Sequence, residues 1–134
     1  MSTDRKAKAP ADIRLKRAYE APVKGDGTRV LIDRLWPRGV SKETARIDHW
    51  FRELAPSTSL RKWFGHDPDR WEEFQRRYEL ELKQDGEQQL QELRALAVPG
   101  PLTLVYAARD TEHNDAVVLQ QVLLRPGTRS KSHI

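Results

Sequence analysis

The chain has 134 residues, of which 37% are apolar and 33% charged, with a net charge of +4 and no cysteine. Such a length suits one ordinary domain with a modest core. The absence of cysteine excludes disulfides, thiol nucleophiles and thiolate zinc sites, and fits a reducing, cytoplasmic setting. No apolar run approaches the roughly 18 residues that a membrane-spanning helix needs. Met1-Ser2-Thr3-Asp4-Arg5-Lys6 leads into Ala, Lys and Pro, so no signal peptide is expected.

The positive charge belongs to the ends. Residues 1–17 hold six Lys/Arg against two acids and residues 125–134 hold three against none, which leaves the span 18–124 at −3. High net charge argues for nucleic-acid binding when it marks a face of the fold; here it marks tails around a slightly acidic body. Disordered basic tails are expected at 1–11 and 126–134, around a single α/β domain at 12–125.

Ile13-Arg14-Leu15-Lys16-Arg17-Ala18-Tyr19 alternates apolar and basic residues, the pattern of a half-buried strand. Lys24 to Thr28 is a turn-forming loop, and Arg29-Val30-Leu31-Ile32-Asp33 reads as a central strand. Pro37 and Gly39 break it, after which Ser41 caps a brief helix at 42–45. Ile47 to Leu54 fits an edge strand or an irregular segment. Ser57 caps a short helix carrying Leu60, Trp63 and Phe64, stopped by Gly65.

Asp67 and Pro68 then mark a helix start, with Asp69, Glu72 and Glu73 complementing the dipole. Trp71, Phe74, Tyr78 and Leu82 form one apolar stripe on that helix. Glu87 to Ala97 continues as a helix until Pro99-Gly100-Pro101. Leu102 to Ala107 is the most strand-like run, and Asn114 or Asp110 caps a last helix through Leu124. A long helical crossover between apolar strands implies parallel neighbours, and so a small layered α/β domain with a short, mostly parallel sheet flanked by helices. Ligands of such sheets sit beyond the carboxyl ends of the strands.

Two polar loops fall at predicted carboxyl ends. The first is Asp33-Arg34-Leu35-Trp36-Pro37-Arg38-Gly39. Its guanidinium groups offer paired donors suited to carboxylate or phosphate, and Trp36 offers a stacking face. The structural alternative has Arg34 paired with Asp33 or Asp110, and Trp36 simply packed. The second loop, Arg109-Asp110-Thr111-Glu112-His113-Asn114, gathers a cation, two carboxylates, an imidazole and an amide. An imidazole beside carboxylates suits acid/base work, while the same residues also suit helix capping. His66, before the Asp67 cap, has no obligatory structural task.

His49, His66, His113, Asp67 and Asp110 show no metal-ligand spacing, and no metal or cofactor is expected. The phosphate loop, the dinucleotide fingerprint and the serine elbow are absent from the sequence.

Residues 29–39 resemble the hallmark of the YeaO-like proteins (domain of unknown function 488). The likeness continues through Ala55-Pro56-Ser57-Thr58, Leu60-Arg61-Lys62-Trp63-Phe64-Gly65-His66-Asp67-Pro68, and Leu104-Val105-Tyr106-Ala107-Ala108-Arg109-Asp110 with His113-Asn114. It covers roughly residues 13–124. The resemblance implies a small α/β fold and carries over no catalytic residue, cofactor or settled activity.

The expected function is therefore binding of a small anionic, nucleotide-like ligand between the two loops. Arg34, Trp36, Arg38, Arg109 and Asn114 would contact it, and His66, His113 and Asp110 would supply any acid/base chemistry. Two other classes stand beside this one: nucleic-acid binding by strand 13–17 with the tails, and a structural or partner-binding module whose arginines are internally paired.

Overall fold

A computed structural model of the chain describes residues 12–125; the tails expected at 1–11 and 126–134 lie outside the described residues. Four strands form one sheet: β1 (Ile13–Arg17), β2 (Thr28–Leu31), β3 (His49–Trp50) and β4 (Leu102–Tyr106). Their order is β1-β4-β2-β3, and every neighbouring pair is parallel. The central pair is in register from Thr28 opposite Leu102 to Leu31 opposite Val105.

Alternation along these strands divides the core in two. Ile13, Val30, Ile32, Leu102, Leu104 and Tyr106 join the larger cluster. Covering that face are α2 (Thr58–Phe64), α3 (Trp71–Asp85), α4 (Glu87–Leu96) and α5 (Asp115–Leu124), through Phe64, Phe74, Tyr78, Leu93 and Leu119 among others. On the opposite face Leu31 and Val105 meet Ala18, Trp36, Val40, Ile47 and Trp50. The only helix described on that side is α1 (Lys42–Ala45), a single turn. The long crossover between β3 and β4 accounts for this asymmetry, because it carries three of the helices to one face.

The element boundaries follow local chemistry. Ser41 and Ser57 accept from the backbone N–H groups of Thr44 and Leu60 and so cap α1 and α2. Gly65 ends α2 in the left-handed region, at φ 55°. Asp67 caps a 3-10 turn, Pro68–Arg70, which runs directly into α3. The ambiguous stretch 47–54 resolves into the two-residue edge strand β3 and a 3-10 turn at Arg52–Leu54.

The first strand stops at Arg17, earlier than its alternation predicts. Arg17 donates to the carbonyls of Ala107 and Ala108, at 3.2 and 2.9 Å, and so fastens the exit of β1 to that of β4.

Polarity is also buried in places the sequence pattern hides. Arg29 is 3% exposed inside the central strand β2, and Asp26 is 5% exposed in the preceding turn. Arg29 donates to Asp26 at 2.7 Å, and Lys16 lies 3.1 Å from the same carboxylate. Thr103 donates to the Asp26 carbonyl from β4. These bonds tie the turn before β2 beneath the sheet face that carries few helices.

Candidate functional site

The chain leaves β2 toward β3, whereas it leaves β4 toward α5, which packs on β1 and β4. Connections from adjacent strands thus diverge, and this is where parallel sheets open a crevice. A cleft of about 530 Å³ lies there. One wall is the β2 exit, Asp33 to Arg38; another is α2 with its exit, through Arg61, Lys62, Phe64 and His66. The third is the β4 exit and the start of α5, with Ala107, Ala108, His113, Asn114 and Asp115.

Five of the predicted ligand and acid/base residues therefore meet at one place beside Asn114: Arg34, Trp36, Arg38, His66 and His113. Arg109 and Asp110 are not part of the lining, and Arg109 is exposed. Asp110 accepts from the backbone N–H groups of Glu112 and His113, and its other oxygen lies 2.9 Å from His113 Nδ1. Those contacts hold its carboxyl below the usual range, the Glu112 amide contributing most. Asp110 thereby fixes the ring of His113, which also meets Trp71 edge-on at 5.2 Å.

Asn114 caps α5 by accepting from Val117 N, and its amide donates to the Asp110 carbonyl at 2.7 Å. Trp36 donates its indole N–H to the Val40 carbonyl and packs edge-to-face on Trp50, so packing and cleft-lining coincide in one side chain. His66 holds φ 58°, a backbone region uncommon for a non-glycine residue, directly after Gly65.

Cations and carboxyls share the cleft, and Arg61 acts on both Asp33 and Asp115. Arg34, Arg38, Arg61 and Lys62 line it with exposed side chains, and among the described residues none of them makes an ion pair. Asp33 and Asp115 sit further in and are only partly exposed. Asp33 accepts from Ala107 N at 2.9 Å, which locks the exit of β2 to that of β4.

Burial pushes the Asp33 carboxyl up to about 6, against the opposing pull of that bond and of the Arg61 charge. Burial, reinforced by the negative charge of Asp33, pushes Asp115 up to about 8. Both carboxyls thus hold their protons nearer to neutrality than ordinary acids, burial being the main cause for each.

Sequence reasoning missed this pair. Asp33 was weighed only as a partner of Arg34, and Asp115 resembles an ordinary helix-dipole residue beside its cap. Arg61 and Lys62 passed as the polar side of a short helix. Among the described residues no group of three or more His, Cys, Asp or Glu is placed to hold a metal ion. No described helix is long and apolar enough to cross a membrane.

A parallel α/β domain with a cationic cleft at its strand exits is the class these features define. The chain belongs to the YeaO-like DUF488 family. The family profile described as the inactive DUF488-N3 subclade matches residues 12–133. The uncharacterized protein YeaO of Escherichia coli K12 is 43% identical over 108 residues, covering 81% of this chain and 93% of that protein. An uncharacterized protein of Mycobacterium tuberculosis H37Rv is 41% identical over 111 residues, covering 83% of this chain and 92% of that one. No solved structure matches the chain.

Proposed function

We propose that the cleft beyond β2 and β4 binds a small anionic ligand, bearing phosphate or carboxylate, and holds it without turning it over. The observation that carries this reading is the convergence of Arg34, Arg38, Arg61 and Lys62 on one cleft, with no ion-pair partner among the described residues. Unpaired guanidinium groups on facing walls suit a tetrahedral or planar anion. The description of the matching subclade as inactive supports binding over turnover.

The experiment is titration of inorganic phosphate, sugar phosphates and nucleotides, followed by tryptophan fluorescence, since Trp36 lines the cleft. Removing one charged donor by Arg38→Ala or Arg34→Ala is expected to weaken binding by about tenfold or more. Unchanged spectra across the whole anion panel would sink the proposal.

One observation favours a catalytic variant of this reading. His113 stands in the cleft wall with Asp110 behind Nδ1 at 2.9 Å, a base held by an orienting carboxylate. In that variant His113, or His66 across the cleft, moves the proton. Phosphorus NMR of bound sugar phosphates tests it: product formation that His113→Ala abolishes supports turnover, and an unchanged spectrum over days supports binding alone.

Nucleic-acid binding through residues 13–17 has less to rest on. Arg14 is engaged by Asp12, Lys16 by Asp26 and Arg17 by two carbonyls. The structural-module reading asks for buried arginines and no cavity, whereas Arg34, Arg38 and Arg109 are exposed and the first two line the cleft.

A further inference from the structure

The two ends of the cleft differ in chemistry, and an anion accounts for only one of them. Arg34, Arg38 and Lys62 are exposed and form the mouth, while the half-buried Asp33 and Asp115 offer a phosphate no positive charge of their own. Between the ends the walls are apolar, with Pro37, Pro56, Phe64 and Phe74 among them. We propose that this inner end receives the amino-bearing edge of a heterocyclic ring, hydrogen-bonded by Asp33 and Asp115, so that the ligand is a nucleotide-type phosphate. The inference rests on the anion-binding reading above and extends it to the other half of the ligand.

Geometry and proton affinity agree on the recognition mode. One oxygen of Asp33 is held by Ala107 N, which leaves the other free to face the cleft. Asp115 is placed by the Asn114 cap at the first turn of α5, and no side chain among the described residues donates to it. Both groups line the same cleft, and burial raises the proton affinity of each, Asp115 more than Asp33, so a carboxylic acid and a carboxylate face it near neutral pH.

An acid beside a carboxylate offers one donor and several acceptors. A ring nitrogen next to an exocyclic amino group presents the complement, one acceptor and one donor. Flat apolar walls accept the ring faces, and about 530 Å³ lies within the roughly 300–1,000 Å³ span of small-molecule sites.

Other charges around the pair come from every wall. Arg34 and Arg38 approach from the β2 exit, Arg61, Lys62 and His66 from α2 and its exit, and His113 from the β4 exit. From α3, the buried Tyr78 phenol feels both acids and is pushed well above its ordinary range, chiefly by burial, so it stays neutral.

The test compares AMP, purine riboside 5′-monophosphate (the same ring without the amino group) and ribose 5-phosphate on the intact protein. The phosphate and both histidines act on all three alike, so the ratio of affinities isolates the inner end. At pH 7, AMP is expected to bind about tenfold more tightly than purine riboside 5′-monophosphate, the worth of one or two hydrogen bonds. Ribose 5-phosphate is expected to be the weakest.

Asp115→Ala should remove the AMP preference and leave ribose 5-phosphate within about twofold, as expected when only the inner contact is lost. In the wild-type protein the AMP preference should persist above pH 8, because the ionised pair still accepts from the amino group. The advantage of either purine nucleotide over ribose 5-phosphate should shrink there, as the pair loses the proton it donates to the ring nitrogen. Asp115→Asn, whose amide still donates and accepts, should retain that advantage.

Equal affinity for the three probes, with Asp115→Ala without effect on their ratio, overturns this inference while the anion site stands. If none of the three binds, both readings fall. Thermal melts of each variant confirm that binding is compared between folded proteins.

Discussion

At the residue scale, the informative side chains are those whose environment contradicts their ordinary behaviour. Asp33 and Asp115 have carboxyls raised to about 6 and about 8, mainly by burial. A carboxyl whose proton affinity is raised by folding stabilises the fold most below its unfolded value, near 4, and loses that contribution as pH rises through the folded value. Asp115→Asn removes the charge that is costly to bury. It is expected to raise stability at pH 8.5 by on the order of 2 kcal/mol and to change it little at pH 4. Urea denaturation at the two pH values checks this; an equal effect at both would contradict it.

Asp26 shows the opposite arrangement. Although burial opposes ionisation most strongly, the hydrogen bonds from Val23, Lys16 and Arg29 outweigh it and hold the carboxyl below its ordinary range. Asp26→Ala strands Arg29, whose Nη2 already has no hydrogen-bond partner. A loss of about 3 kcal/mol or more is expected, because an uncompensated guanidinium would remain buried.

At the scale of elements, two junctions matter, one at the cleft and one at the opposite end of the central strands. The first is the start of α5, where the Asn114 side chain accepts from Val117 N and donates to the Asp110 carbonyl while only 4% exposed. Asn114→Ala removes a cap and leaves the Asp110 carbonyl without that donor, at an expected cost of about 1–2 kcal/mol. Because the same cap places Asp115, the preference for AMP over purine riboside 5′-monophosphate should fall alongside stability; chemical denaturation and titration of the two nucleotides test both.

The second junction is where β2 begins beside the approach to β4. Gly27 holds φ 67°, and a Cβ there would lie 2.2 Å from the Pro101 carbonyl oxygen. Backbone must move to admit it, so Gly27→Ala is expected to cost about 3 kcal/mol or more and to slow assembly of the central strand pair. The midpoint of denaturant unfolding is the readout, and a shift smaller than that for Asn114→Ala would count against the argument.

For the whole molecule, the one-sided arrangement of helices sets how stability responds to pH. The larger core beneath α2 to α5 closes over the inner end of the cleft and desolvates Asp33 and Asp115. On the opposite face, Asp26 is held ionised by Lys16 and Arg29, while Glu73 on α3 is lowered to about 2 by Arg76 and Arg77 at the surface. The lowered group contributions are lost as pH falls below about 4, and the raised ones are lost as pH climbs from about 4 toward 8. Stability is therefore expected to peak on the acid side, near pH 4–5, rather than at neutrality. A guanidinium unfolding series from pH 3 to pH 9 shows whether it does, and a saturating anionic ligand should raise stability at every pH where it binds.

Local chemistry made much of this protein legible in advance. Ser41, Ser57 and Gly65 marked helix ends that the structure reproduces, and the long helical crossover implied the parallel order of the sheet. The loop residues Arg34, Trp36, Arg38, His66 and His113 were chosen because strand exits collect sites, and they do line one cleft. Such features are short-range: a cap, a periodicity or a turn is written within a few neighbouring positions.

What only the tertiary structure decided depends on which distant segments share a volume. Asp33 and Asp115 are 82 positions apart in the chain, and nothing near either one predicts that burial will raise the proton affinity of both at one cleft. Arg109 sits in the predicted loop yet stands outside the cleft lining, while Arg61 and Lys62 enter from a helix that looked unremarkable. Arg29 looked like the edge of an apolar run and is instead a buried cation, because Asp26 and the Ala45 carbonyl reach it under the sheet. Desolvation and ion pairing are properties of a three-dimensional neighbourhood, and that neighbourhood exists only once the strands are ordered β1-β4-β2-β3.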